Sequence, residues 1–278
     1  AGVQMILLVE DSIRFYSSIL PNLYNYILEQ SKNFSQEALN RHAATMRMRG
    51  RPKVVLARTY EEAQKLYDKY SDNTLGVISD ARFPLKSAAK AFGNEVMPEE
   101  KPKHRTDTFG REKCPDAGLQ LFRYIRKNDP FVPLIIESSE SENRAKAEAE
   151  GFRFVDKNSK KMSVDLRRLM EEHMGFGDFI FRDPKTHEEI MRIHSLKELQ
   201  DNIFNIPNDS MLYHISRNHM SRWLCARAIF PVSAFLKHVT WEKLQDVDAH
   251  RQIIFDAIVQ YRHMKNIGVV AGGGPRRE

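Results

Sequence analysis

From the N-terminus to about Met174, short apolar runs alternate with stretches whose apolar positions recur every three or four residues. Met5-Ile-Leu-Leu-Val9, Val54-Val-Leu-Ala57, Leu75-Gly-Val-Ile-Ser79, Leu134-Ile-Ile136 and Phe152-Arg-Phe-Val155 read as strands. The first is followed by an amphipathic helix through Ile13, Phe15, Ile19, Leu20, Leu23 and Ile27. Thr59-Tyr-Glu-Glu62 opens another helix as a capping box, in which Thr and a Glu three residues on satisfy orphan amides. Gly118 to Lys127, Glu140 to Glu150 and Ser163 to His173 also read as helices. Five units of strand then helix predict a doubly wound parallel sheet, with right-handed crossovers and its chemistry at the carboxyl ends of the strands.

A seam follows at Gly175-Phe-Gly177, and the pattern changes. Phe179-Ile-Phe181 is a brief strand, and Ser195-Leu-Lys-Glu198 is a second capping box. Residues 249–265 carry a helical stripe of Ile253, Ile254, Ala257, Ile258 and Tyr261. No internal repeat is visible. The expected organisation is a first domain over 1–174 with insertions near 31–51 and 85–115, a smaller, mostly helical α+β module over 175–271, and a flexible Gly-rich tail over 272–278.

Composition narrows the class. Hydrophobic residues make up 41% of the 278-residue chain, enough for a core, which argues against disorder. No run of about 18 apolar residues exists, so no membrane span is expected. Ala1 to Val9 lacks the basic start and cleavage signal of a secretory peptide. Cys114 and Cys225 give neither a disulfide framework nor metal-site spacing, and a cytoplasmic, reducing compartment is expected. The net charge of +6 is not gathered on an aromatic-laced face. The densest basic stretch, Lys101 to Lys113, reads as a solvated loop, and nucleic acid is not an expected partner.

The strand ends carry the chemistry. The first strand ends in Glu10-Asp11, the third in Asp80 and the fourth in Ser138, while Lys157 follows the fifth. Taken singly, each has a plainer reading as a cap or a solvated loop residue. In a doubly wound sheet, however, all of them converge on one rim. Packed carboxylates repel one another unless a cation sits among them. Mg²⁺ suits a site of few carboxylates, waters and phosphate oxygens. A carboxylate beside such an ion can accept a phosphoryl group as an acyl phosphate.

Four segments resemble the response-regulator receiver family of two-component signalling. Ile6-Leu-Leu-Val-Glu-Asp-Ser12 is similar to its acidic opening. Gly76-Val-Ile-Ser-Asp-Ala-Arg-Phe-Pro84 is similar to its phosphoacceptor strand, Pro133-Leu-Ile-Ile-Glu-Ser-Ser139 to the strand ending in a hydroxyl, and Gly151-Phe-Arg-Phe-Val-Asp-Lys157 to the segment carrying the lysine. The resemblance implies a flavodoxin-like sheet of order 2-1-3-4-5. It implies that Asp80 is the phosphoacceptor and that Glu10, Asp11, Asp80 and the Arg82 backbone carbonyl bind Mg²⁺. It further implies that Ser138 and Lys157 hold the phosphoryl group, with Ser138 and Phe154 as switch residues, and that a sensor histidine kinase or phosphotransfer protein is the partner. Three features depart from the pattern. Asn158 stands where receivers usually carry proline, and Glu137 replaces an apolar residue. The stretches on either side of Asp80 are also longer than in a compact receiver. Pro115 to Arg126 resembles the third receiver helix, displaced by a polar loop that could serve as a lid or a docking surface.

The second part has no catalytic signature. Its histidines, His187, His194, His214, His219, His238, His250 and His263, lack convergent metal-ligand spacing. Ser210 to Leu224 reads as a buried helix or an interaction surface. Lys157-Asn-Ser159, Gly175 to Phe181 and Tyr213 to Leu224 resemble the segment after the receiver in large phosphoenolpyruvate synthase-like (pyruvate phosphate dikinase-like) bacterial proteins. That resemblance implies a regulatory part of a longer enzyme, with a catalytic domain downstream. The leading expectation is a phosphorelay receiver, not an enzyme by itself, that transmits a change at Asp80 to its attached module. A pseudo-receiver interaction domain, a non-catalytic regulatory fragment of a dikinase and a homodimer stay open as alternatives.

Overall fold

In the computed structural model, the described residues are 3–87, 106–107 and 109–270, with backbone alone for 266–270. The expected tail over 272–278 and the greater part of the 85–115 insertion lie outside them. The chain forms two compact units. One gathers the residues up to Ile27 together with Pro52–Leu169. The other gathers Leu28–Arg51 and the residues from Met170 onward.

The first unit is built on five parallel strands: β1 (Met5–Val9), β2 (Lys53–Ala57), β3 (Thr74–Asp80), β6 (Leu134–Ser138) and β7 (Arg153–Asp156). Their order is β2-β1-β3-β6-β7, the predicted 2-1-3-4-5 arrangement of a flavodoxin-like fold. Every residue of β1 is buried, as a strand covered on both faces requires. On one face Leu7, Val9, Val77 and Ile136 pack with Ala63 and Tyr67 of α3 (Tyr60–Tyr70), with Leu121, Phe122 and Ile125 of α4 (Ala117–Asn128), and with Ala147 of α5 (Glu142–Ala149). Ile6 and Leu8 point the other way and are equally buried. The helices α1 (Ile13–Gln36) and α6 (Met162–His173) bury Ile19, Leu23, Leu166 and Leu169 and line one small cleft together.

Local signals explain the helix starts. Thr59 caps α3 by accepting from the Glu62 amide at 3.2 Å, while Glu62 Oε2 accepts from the Arg58 amide at 2.8 Å. The capping box is thus closed one residue earlier than the usual form. After β3 the chain runs into β4 (Phe83–Pro84), which pairs antiparallel with β5 (Lys113–Cys114). A bridge joins Thr106 to Glu112, and Asp107 accepts from the amides of Phe109 and Arg111. The far end of the long insertion therefore returns as an ordered hairpin, where the sequence predicts a polar loop.

The second unit holds α2 (Arg41–Arg49), the antiparallel pair β8 (Phe179–Arg182) and β9 (Glu189–Ile193), and the helices α7 (Leu196–Asn202), α8 (Asn208–Ser216), α9 (His219–Ala226), α10 (Phe230–Lys237) and α11 (Val247–Val270). Residues 31–51, expected as an insertion in the first domain, group with this unit. A Cβ on Gly50 would lie 2.8 Å from the Phe230 ring, so the end of α2 is in close contact with α10. The single helix predicted across Ser210 to Leu224 is two helices. Asn218, at φ 52°, breaks it in the left-handed conformation that Asn tolerates better than most residues.

Arg227 is the hub of this unit, only 2% exposed. Its guanidinium donates to the Gly175 carbonyl at 2.8 Å and the Gly177 carbonyl at 3.0 Å, and stacks 3.9 Å from the Trp223 centroid and 4.2 Å from that of Phe34. The Gly-rich seam is thereby tied into a core. His214 and His219 face each other, Nδ1 to Nδ1, at 3.0 Å between the aromatic rings of Phe179, Phe181 and Tyr213. Burial, reinforced by Arg217, pushes His214 down to about 4. Burial also holds His219 well below the ordinary range, with His214, Arg222, Arg217 and His173 adding to the effect. Both imidazoles are held neutral in the fold but titrate near 6.5 when unfolded, so stability is complete above about 6.5 and falls as the pH drops toward 4. At pH 5 the expected loss from His214 is roughly 2 kcal/mol, and His219 shifts stability in the same direction. Both tryptophans, Trp223 and Trp241, belong to this unit. Urea unfolding followed by tryptophan fluorescence therefore reads it selectively, and the midpoint should be clearly lower at pH 5 than at pH 7.

Candidate functional site

The carboxyl ends of β1, β3, β6 and β7 bring Glu10, Asp11, Asp80, Glu137, Ser138 and Lys157 to one rim. Carboxylate oxygens of Glu10, Asp11 and Asp80 lie within 4.8 Å of one another. Lys157 Nζ forms an ion pair with Glu10 Oε2 and a second, at 3.1 Å, with Asp80 Oδ1. It also lies 4.5 Å from the Phe15 ring centroid. The side chains of Glu10 and Asp11 are fully enclosed and that of Lys157 is 2% exposed, whereas that of Asp80 keeps 14%. Asp80 is the member of the cluster that an external molecule can reach.

Enclosing this much charge has a cost that appears in the titration of the groups. Burial, reinforced by Asp80, raises the Glu10 carboxyl above its ordinary range, with Lys157 opposing. Burial raises Glu137 too; Lys157 opposes and Asp80 adds. Burial raises Asp11, opposed by Lys113. Burial alone would lower the Lys157 ammonium, but Asp80, Glu137 and Glu10 outweigh it and the net shift is upward.

The other predicted residues sit as follows. Ser138 Oγ accepts from the Glu140 amide at 3.1 Å and from Asn143 Nδ2 at 2.9 Å, so its hydroxyl is engaged at the start of α5. The Arg82 side chain turns to Glu140 at 3.1 Å. Phe154 is half-buried under the Arg144 guanidinium, 4.6 Å from its ring centroid. Asn158 donates from its amide to Asp156 Oδ1 at 2.8 Å and from Nδ2 to the Ser139 carbonyl at 2.9 Å. It ties the ends of β6 and β7 together. Gly118, at the start of α4, presses on the end of β3. A Cβ there would lie 2.3 Å from the Asp80 carbonyl oxygen.

Two residues of the rim fall outside the sequence-derived set. Lys113 Nζ pairs with Asp11 Oδ2 at 2.7 Å. It belongs to the basic stretch expected to be solvated, and no periodicity marks it, because β5 is only two residues long. Glu137 is visible in the sequence only as a departure from an apolar position. It is fully buried, and neither of its carboxylate oxygens has a hydrogen-bond partner among the described residues.

Three carboxylates with a buried, unpartnered Asp11 Oδ1 form the oxygen-only donor set that a hard divalent cation takes, so the residues present fit Mg²⁺. Among the described residues no helix is long and apolar enough to cross a membrane.

No protein-family model matches the chain, and no curated protein matches it. Among solved structures, the chain is similar to a response regulator receiver domain protein from Clostridium thermocellum, at 15% identity over 61% of this chain and 93% of that one, with a TM-score of 0.36. It is also similar to the non-phosphorylated HemR receiver domain from Leptospira biflexa, at 19% identity over 60% and 94%, with a TM-score of 0.35. A two-component transcriptional regulator AraC from Clostridium phytofermentans ISDg matches at 14% identity over 62% and 93%, with a TM-score of 0.33.

Proposed function

We propose that the first unit is a phosphoryl-accepting receiver in which Asp80 is the acceptor. One observation carries this reading: Asp80 is the accessible carboxylate of an otherwise enclosed acidic cluster and is held against a buried lysine. Glu10, Asp11, Asp80 and the Arg82 backbone carbonyl would hold Mg²⁺, which when bound neutralises charge on the transferring phosphoryl oxygens. An Asp80 carboxylate oxygen attacks phosphorus, the bond from phosphorus to the donor breaks, and the donor group leaves with its electron pair. The product is an acyl phosphate. Lys157 positions the Asp80 carboxylate before transfer and balances a phosphoryl oxygen afterwards.

Ser138 would supply a hydroxyl to the phosphoryl group by giving up its contacts with Glu140 and Asn143. Phe154 would then repack, altering the surface around β6 and β7. The phosphodonor would be a sensor histidine kinase or phosphotransfer protein. The second unit, or a catalytic domain of a larger phosphoenolpyruvate synthase-like protein, would read the change.

A second reading, an interaction domain that takes no phosphate, is favoured by Lys113 against Asp11 and by the buried Glu137. Exposing the whole chain to acetyl phosphate and Mg²⁺ and then mapping peptides separates the two. A hydroxylamine-labile phosphoryl group on the peptide containing Asp80 supports the receiver. A label elsewhere, or none at all, supports the interaction domain.

A further inference from the structure

The carboxylate cluster already contains a cation of its own. Lys113 Nζ lies 2.7 Å from Asp11 Oδ2, and its side chain is only 16% exposed. The lysine does not reach this position from a free loop. β5 pairs with β4, with Pro84 opposite Lys113 and Phe83 opposite Cys114, and Phe83 is fully buried. Beyond it, the turn is closed by the Thr106 to Glu112 bridge and by the Asp107 carboxylate, which accepts from the Arg111 amide and from Arg111 Nε. The ammonium is thus delivered to Asp11 by a built hairpin. Asp11 Oδ1, beside it, is buried with no hydrogen-bond partner among the described residues, so one of the carboxylate's two oxygens is left open to a ligand.

Resting on the metal-binding reading above, we propose that Lys113 is an internal counter-ion that a divalent cation must displace from Asp11. Among the described residues Lys113 pairs with Asp11 alone, unlike Lys157, which Glu10 and Asp80 share, so a divalent ion arriving at Asp11 meets the Lys113 charge with no second carboxylate to offset it. Binding of the divalent ion therefore releases the Lys113 ammonium, and the β4–β5 hairpin, which follows Asp80 directly, registers whether the site is loaded. The insertion after the phosphoacceptor strand thereby sets the affinity of the site for its metal.

The test is Mg²⁺ titration of the whole chain by calorimetry, with Mn²⁺ binding followed by electron paramagnetic resonance, for the native protein, Lys113→Met and Lys113→Arg. Removing one charge-assisted contact from the competing lysine should tighten the divalent ion roughly tenfold in Lys113→Met. Lys113→Arg should stay near the native value. In the native chain, Mg²⁺ should also increase labelling of Lys113 by an amine-reactive reagent, which does not depend on how any variant folds. Equal affinity in the native chain and Lys113→Met, with unchanged labelling, overturns the proposal and leaves the metal-binding reading standing. If neither protein takes up Mg²⁺ or Mn²⁺, both fall together.

Discussion

Lys157→Met should destabilise the first unit by about 3–5 kcal/mol at pH 8, because it strands buried charge that the ammonium now balances. Lys157 lies between Glu10 and Asp80, and the Glu137 carboxylate also acts on it. Methionine keeps much of the volume and removes the charge. Burial already holds Glu10 and Glu137 above the ordinary carboxyl range, and the variant removes the lysine that opposes this. A carboxyl raised above its unfolded value is protonated more readily in the fold. The folded state then binds the extra protons, and the lost stability returns as the pH falls toward about 4.5. Native-state hydrogen exchange of the β1 amides, Met5–Val9, reads this unit directly. Protection should drop sharply at pH 8 and recover substantially by pH 5. A variant equally stable at both values would mean that Lys157 does not neutralise the cluster.

Gly118→Ala should damage both the fold and the chemistry. Its new methyl group would lie 2.3 Å from the Asp80 carbonyl oxygen, 3.0 Å from Ile136 Cδ1 and 3.2 Å from Ala81 Cα. Two of these neighbours are backbone, which cannot swing aside as a side chain can. The Gly118 amide also donates to the Ala81 carbonyl at 3.1 Å, pinning α4 to the turn after Asp80. Overpacking of this kind costs about 1–3 kcal/mol. The strand end must shift, and misplacing a reacting group by about 1 Å can lower a rate roughly 100-fold. Denaturation measured with phosphorylation by acetyl phosphate separates the two effects. An unchanged rate in a folded Gly118→Ala protein would show that the Asp80 backbone position is not critical.

The sheet and most of the rim were legible because both rest on patterns that survive in one dimension. Five apolar runs, each followed by helical periodicity, leave few alternatives to a doubly wound sheet, and that topology alone collects Glu10, Asp11, Asp80, Ser138 and Lys157 at one edge. The Thr59 and Ser195 caps were readable for the same reason, since their partners lie three residues away. What depends on long-range pairing was not legible. β5 has two residues and no alternation, so neither the hairpin nor the contact of Lys113 with Asp11 leaves a sequence signal. The grouping of Leu28–Arg51 with the second unit depends on contacts such as Gly50 with Phe230, far apart in the chain. The break at Asn218 is a single left-handed residue inside an apolar pattern that by itself suits one helix. Ser138 carries both of its readings at once, a strand-end hydroxyl and a helix-start acceptor, and its present hydrogen bonds belong to the second.

Phosphoryl transfer to Asp80 is read out by intact mass spectrometry. The native chain and Asp80→Asn are incubated side by side with acetyl phosphate and Mg²⁺. A gain of roughly 80 Da in the native chain alone, absent when Mg²⁺ is chelated, is the predicted result for an acyl phosphate on this carboxylate. An equal gain in Asp80→Asn would place the phosphoryl group elsewhere and rule out Asp80 as the acceptor.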